Sequence, residues 1–536
     1  MTLWCAAAGR RPRRRDSMGI LHRVTASLVM ALGTATAQPT APTVHLIPLD
    51  DRPTSLHVPV ALGAIGGVRV VTPPRALLGR FSRPADADAV AAWLRRESAR
   101  PAIATVVSLD LLAYGGLVAS RRIESATREA AIARLETLRA VRAPIPARPL
   151  YAFATLMRLA PTADGTDEPY REAIARWAEL ATDTATTATS ERHGLEARIP
   201  AELLTRYRAA RARNLAVAAA ALRLVADGVI DHLVLAQDDA RPRGIHLAER
   251  DTLRAWIAAR GVGARVSLQP GTDEVGMLLI ARAIAASAHR APTIRVTYAD
   301  PADSARMMPF EDRPLDETVS AALATTGARR TDASEAEDLH LIVHTARLRP
   351  VGTADAVRLV TQSGRPVILA DVDPTGRIQG ADTLLTDQLV ATGRFAELAA
   401  YAAWNTAGNA IGTAVAHGVL RWIATTTAGA PNPARERAHR AMLLERLLDD
   451  DVYHSRLRPG IVAALRAQGA DPFRLPASTA RATEVRLQTM LTARLPWALT
   501  AIAPAGSRCR LARPLRVTLP WDRPFEAELD LQPSCG

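Results

Sequence analysis

Short apolar, β-branched runs alternate with longer amphipathic segments through most of this chain. Strand-like runs end at Leu49, Val71, Ser108, Ala154, Ala236, Leu268, Tyr298, Val343 and Ala370, and Ala/Leu/Arg-rich helical patterns separate most of them. Alternation of this kind needs crossover connections and so predicts a mainly parallel sheet in a mixed α/β fold. Over residues 44–408 it predicts a (β/α)8-like barrel with a helical insertion, with two doubly wound α/β domains as the alternative. The helical patterns Pro169 to Asp183 and Ala201 to Asp227 form that insertion, between the fourth and fifth strands. Residues 409–500 read as all-helical, including AMLLERLLDDDVYHSRLR. Residues 501–536 read as a small β-hairpin module, alternating in LRVTLPW and FEAELDL around Asp522-Arg523-Pro524.

Composition changes this picture in three places. From Met18, a basic start, an apolar run from Val24 to Leu32 and the small-residue site Ala35-Thr36-Ala37 read as a leader over 1–37, cleaved near Ala37. A Pro/Thr/Ala linker follows over 38–43, and the protein is expected to be periplasmic or secreted, with no membrane-spanning segment in the mature chain. The formal charge of +13 does not point to nucleic acid: all 67 basic residues are arginine, they spread along helices, and aromatic residues are only 4%, too few for base-stacking platforms. The absence of lysine removes Schiff-base chemistry, pyridoxal-phosphate anchoring and the phosphate-loop lysine. Of the three cysteines, Cys5 goes with the leader, and Cys509 and Cys535 are expected to close the C-terminal tail as a disulfide.

Candidate chemistry gathers where strands end. In Leu233 to His246, LVLAQDDARPRGIH, a strand-length run stops at Gln237, Asp238 and Asp239, the place where α/β proteins bind ligands. Neighbouring side chains on a strand point to opposite faces, but both can approach one pocket where the chain bends into a loop. Two crowded carboxylates raise one pKa and leave a proton for general-acid work, with Gln237, Arg241 and His246 able to add hydrogen bonds. The first strand ends in Asp50-Asp51-Arg52, read either as a binding pair or as a helix cap with an ion pair. Asp110 interrupts an apolar run, and either serves a site or pairs with Arg121 or Arg122; Tyr114 before Gly115-Gly116 suits a pocket wall or a tight turn. Asp273 and Glu274 open a helix, for which the helix dipole is sufficient reason. Trp404 and Asn405, with Asn409, offer a ring and amides to a sugar, or else Trp404 lies in the core beside a helix cap. No HExxH or paired-Cys pattern marks a zinc site.

The segments IPLDDRP, VSLDLLAYGGLVASR, LAQDDARPRGIH, GTDEV and YAAWNTAGNAIGTAVAHG together resemble an uncharacterised bacterial family, domain of unknown function 4127, over about residues 44 to 420. That resemblance implies one shared architecture and brings no activity. A local similarity of Asp238-Asp239 and Trp404-Asn405 to barrel glycosidases acting on N-acetylglucosamine covers a few residues.

The expectation is a hydrolase of carbohydrate substrates, with an N-acetylhexosamine-containing glycan as the narrower candidate. Asp239 is the general acid/base and Asp238 orients an acetamido group or the attacking water. Asp50, Asp51, Arg52, Asp110, Tyr114, Gln237, His246, Asp273, Trp404, Asn405 and Asn409 are the substrate-binding candidates, and no metal or cofactor is required. The alternatives are a Mg²⁺- or Ca²⁺-dependent phosphoester or amide hydrolase, with Asp50, Asp51, Asp110 and Asp238 as oxygen ligands, and a non-catalytic periplasmic ligand-binding protein.

Overall fold

The apolar runs of the first half of the chain pair side by side into a six-stranded parallel sheet. The computed structural model describes residues 41–165, 168–331, 336–345, 350–427 and 432–536. The leader and residues 38–40 of the linker lie outside the described residues. The first sheet holds β1 (Thr43–Ile47), β2 (Arg69–Val71), β3 (Ala104–Ser108), β4 (Leu150–Leu156), β5 (His232–Gln237) and β6 (Val266–Pro270), in the order β2-β1-β3-β4-β5-β6. A second, five-stranded parallel sheet holds β7 (Thr293–Tyr298), β8 (Arg329–Thr331), β9 (Leu339–His344), β10 (Val367–Asp371) and β11 (Ala400–Ala402), in the order β11-β10-β9-β7-β8. Every residue of β1, β3, β4 and β5 is buried, which is why these strands read as continuous apolar runs without alternation.

All nine strand-like runs of the sequence are strands, but they do not close into one barrel. β7 pairs with β8 and β9, and β6 is left as an edge of its own sheet. The reason lies in two helices. Val275–Ser287 is buried from Val275 through Ile284 with the sole exception of Arg282, and Ala407–Thr426 is buried from Ala407 through Leu420. A barrel's outer helices keep a polar face towards solvent, whereas a helix apolar all round has to be enclosed. These two lie in one core with residues of both sheets, including Val44, Val106 and Val234 of the first and Leu341 and Ile368 of the second. The arrangement is compatible with the doubly wound alternative: in each sheet the first strand lies between the second and third, so each has a switch point where neighbouring connections leave in opposite directions.

Helices Arg171–Leu180, Thr186–Arg198 and Ala201–Ala226 fill the connection from β4 to β5. Their buried residues, among them Trp177 and Tyr207, make a core of their own. The helical region after residue 409 is helical as expected, with a π-helical stretch over Leu447–Leu457, but its first helix belongs to the central core and does not stand apart. The tail is two nested antiparallel pairs, β12 (Cys509–Leu511) with β15 (Pro533–Cys535) and β13 (Arg516–Thr518) with β14 (Glu528–Asp530). The Cys509–Cys535 disulfide joins the outer pair.

Close packing of the central helix depends on Gly418, where an added Cβ would come within 2.3 Å of Ile368 Cδ1 on β10. A Gly418→Ala chain is expected to lose roughly 1–3 kcal/mol of unfolding free energy, seen as a lower urea midpoint at unchanged m-value; an unaltered midpoint would show that the helix and β10 have room to spare.

Candidate functional site

Loops after all six strands of the first sheet converge on one cleft of about 310 Å³, met from the other side by loops after β7, β10 and β11 of the second sheet. The first sheet contributes Arg52, Phe81, Arg121, Arg158, Asp238-Asp239 and Asp273; the second contributes Phe310, Gln379 and Asn405. The turn between β13 and β14 supplies Trp521, Arg523 and Phe525. Carboxyl ends of parallel strands gather at one edge, so their loops make a crevice without further design.

Asp238 and Asp239 both face this cleft, and the backbone explains how. Asp239 has a φ of 33°, a left-handed conformation that costs energy for any residue but glycine. That bend turns the chain after β5, so that two neighbours which would diverge on a strand line the same cavity. Of the eight non-glycine residues with positive φ among the described residues, six line it: Phe81, Asp239, Phe310, Gln379, Asn405 and Trp521. Strain of this kind persists where the surroundings over-determine it and gathers at ligand sites.

Each acid is held by its own arginine. Arg121 donates to Asp238 at 2.5 Å and to Thr162 at 2.9 Å, and Arg158 donates to Asp239 at 2.7 Å. The Asp238 side chain is 9% exposed and that of Asp239 35%. Burial raises the Asp238 pKa, Arg121 opposes it, and the neighbouring Asp239 raises it further.

Beneath them, Arg52 ties three parts of the chain together. It pairs with Asp50 at 2.8 Å, Asp273 at 2.6 Å and Glu526 at 3.0 Å, with 5% of its side chain exposed. Asp273 is therefore an ion-pair partner at the cleft wall as well as a residue before a helix. Trp521 donates its indole N–H to Asp51 at 2.6 Å and stacks on Phe81 at 5.0 Å, which pins the hairpin turn over the first sheet.

Several sequence candidates stand elsewhere. Asp110 is buried away from the cleft, accepts from the Thr155 N–H at 2.8 Å and is pushed up to about 6 by burial. Its expected partners go elsewhere, Arg121 to Asp238 and Arg122 to Asp164. Tyr114 is a core residue whose ring lies under Arg213 at 4.4 Å. Gln237 is buried and donates to the Leu156 and Asp238 carbonyls. His246 is fully buried, bonds the Arg241 carbonyl at 2.9 Å to brace the loop after β5, and is lowered to about 4 by burial. Trp404 takes its core alternative, donating to Thr413 at 3.0 Å, while Asn405 lines the cleft and donates to Asn409 at 2.7 Å. The four carboxylates considered as metal ligands engage separate donors: Arg52 for Asp50, Trp521 for Asp51, Thr155 for Asp110 and Arg121 for Asp238. Among the described residues no group of three or more His, Cys, Asp or Glu is disposed to hold a metal ion.

Apart from Arg52, a candidate from the start, and Arg121, expected only as a partner of Asp110, the cleft's arginines, its aromatics and Gln379 were not singled out by the sequence. Their one visible signal is Trp521-Asp522-Arg523-Pro524 in the hairpin turn, whose ring and guanidinium exceed what a turn needs.

A family model described as protein of unknown function (DUF4127) matches residues 44–530, so the likeness runs on through the helical region and into the hairpin. No curated protein and no solved structure shows significant similarity to the chain.

Behind the cleft, where the two sheets meet, two buried glutamates flank Gly408. Glu274 accepts from Asn409 at 2.6 Å and Glu311 from the Gly408 N–H at 2.9 Å. Burial raises them from 4.5 to about 8 and about 7. Between the unfolded value and these folded values the native chain binds more protons than the unfolded one, so unfolding free energy falls as pH rises. The urea midpoint is expected to be highest near the acid end of that window and to drop through about pH 7 to 8, with a shallower drop in Glu274→Gln. Parallel profiles for the two chains would contradict this.

Proposed function

The chain belongs to the DUF4127 family, whose description carries no activity, and from that premise we propose that the protein is a hydrolase of carbohydrate substrates, with its active site at Asp238 and Asp239. The observation that carries this reading is the left-handed bend at Asp239, which turns two adjacent strand-end carboxylates into one cleft walled by aromatic rings. Asn405 and Gln379 supply amides for hydroxyl groups, and the rings of Trp521, Phe81 and Phe525 give the same cleft an apolar wall.

Within the pair the roles follow exposure. A group that exchanges protons with substrate and water has to reach both, and Asp239 is the more exposed of the two. Asp239 serves as general acid/base, with Arg158 fixing its direction. Asp238, held by Arg121 and buried, orients the substrate or the attacking water; an N-acetylhexosamine unit, whose acetamido group such a carboxylate can position, is the narrower candidate. The Cys509–Cys535 disulfide accords with a secreted or periplasmic protein, since such bonds persist in oxidising compartments.

The pairing of Asp238 and Asp239 with arginines favours a second reading, a ligand-binding protein without chemistry, because fully paired carboxylates can hold hydroxyl groups without moving protons. Turnover separates the two. On chromogenic glycosides, Asp239→Asn is expected to lower kcat about 10²- to 10⁴-fold while the folded state is kept and chelator has no effect. An Asp239→Asn protein as active as the parent would sink the hydrolase assignment, and saturable sugar binding with no turnover would select the second reading.

A further inference from the structure

The positive charges in the cleft do not all have partners. Arg52 is paired with Asp50, Asp273 and Glu526, Arg121 with Asp238, Arg158 with Asp239, and Arg171 with Glu172. Among the described residues Arg523 has neither a hydrogen bond nor an ion pair. Its guanidinium lies instead against three rings, 4.6 Å from the centre of Trp521, 5.0 Å from Phe525 and 5.1 Å from Phe81.

That arrangement is costly without a ligand. The residue is only partly exposed, and burial, only partly offset by Glu526, brings its pKa down to about 10, with Arg52 and Arg158 adding repulsion. Aromatic faces stabilise a cation without using its N–H groups, so the five donors of the planar fork stay available for a bidentate acceptor. The fork lines the same cleft as Asp239, on a turn held down by Trp521 to Asp51 and by Arg80 to Asp522. It is therefore a preorganised donor set whose missing partner is an anion.

We infer that Arg523 is the seat for an anionic group on the ligand of this cleft, a carboxylate or a phosphate carried by a sugar, which neutral sugars lack. This rests on the reading of the cleft as the ligand site and adds the class of ligand: acidic or phosphorylated saccharides over neutral ones.

The test is calorimetric titration of the protein with glucuronate, glucose 6-phosphate and glucose. At least one anionic probe is expected to bind about tenfold or more tightly than glucose, as a charge-assisted bidentate contact would give, and to weaken with added salt. Arg523→Gln is expected to bring that probe down to the level of glucose, and Arg523→Lys to recover part of the loss, more for the phosphate than for the carboxylate. The melting temperature of each variant shows that the fold is kept. The ratio between the two anionic probes tells carboxylate from phosphate. Anions binding no better than glucose, or a preference that survives in Arg523→Gln, overturns the inference. Glycoside cleavage without any anion preference overturns it and leaves the hydrolase reading standing. Arg523-dependent anion capture with no cleavage of any glycoside supports it and overturns the hydrolase reading.

Discussion

One buried guanidinium holds the site together. Arg52 sits almost out of solvent and is matched by carboxylates from three distant parts of the chain: Asp50 beside it, Asp273 after β6, and Glu526 in the C-terminal hairpin. A buried charge is tolerated only when paired and hydrogen-bonded, and removing one partner of such a set typically costs about 3–5 kcal/mol. The three carboxylates therefore have to be where Arg52 is, and their segments come with them. Asp273 draws the loop after β6 against the end of β1, and Glu526 draws the hairpin across the sheet edge, so that Trp521 and Arg523 roof the cleft.

The second constraint is the enclosure of two helices. Val275–Ser287 and Ala407–Thr426 are apolar nearly all round, and satisfying them demands a layer of structure on each side. Two open sheets provide those layers, sharing a single core. Because the strands within each sheet are parallel, loops from each sheet gather at its carboxyl edge, and the shared helical layer brings loops of both sheets to one cavity. The buried glutamates Glu274 and Glu311 lie at this joint, hydrogen-bonded to the first turn of Ala407–Thr426, which makes the junction sensitive to proton uptake.

Strain and charge in the cleft share one origin. Six left-handed non-glycine residues line it, all of them outside the strands. The rigid frame imposes the backbone geometry; the geometry aims Asp239, Gln379 and Asn405 inward. Arg158 and Arg121 then neutralise the two aspartates, which leaves Arg523, among the described residues of the cleft, as the cation without an acceptor.

Strand positions were legible because most of these parallel strands are buried and so are largely apolar and β-branched. Nine of the eleven sheet strands stood out, and the two that did not, β8 and β11, are three-residue strands at sheet edges. Asp238-Asp239 was legible because acids directly after such a run contrast with it. Whether the strands made one sheet or two was not, since the same β-α period serves both, and the answer lay in how completely two helices are buried. Nor, Arg52 apart, were the arginines of the cleft, because in a chain with 67 arginines and no lysine few of them stand out. The pairings that define the site join residues 117 apart in Arg121–Asp238 and 474 apart in Arg52–Glu526. Local sequence carries burial and backbone preference, which act over a few residues. Which charge meets which is settled only when the folded sheets and tail bring them within reach, because the cost of burying an unpaired charge is levied on the assembled structure and not on the segment.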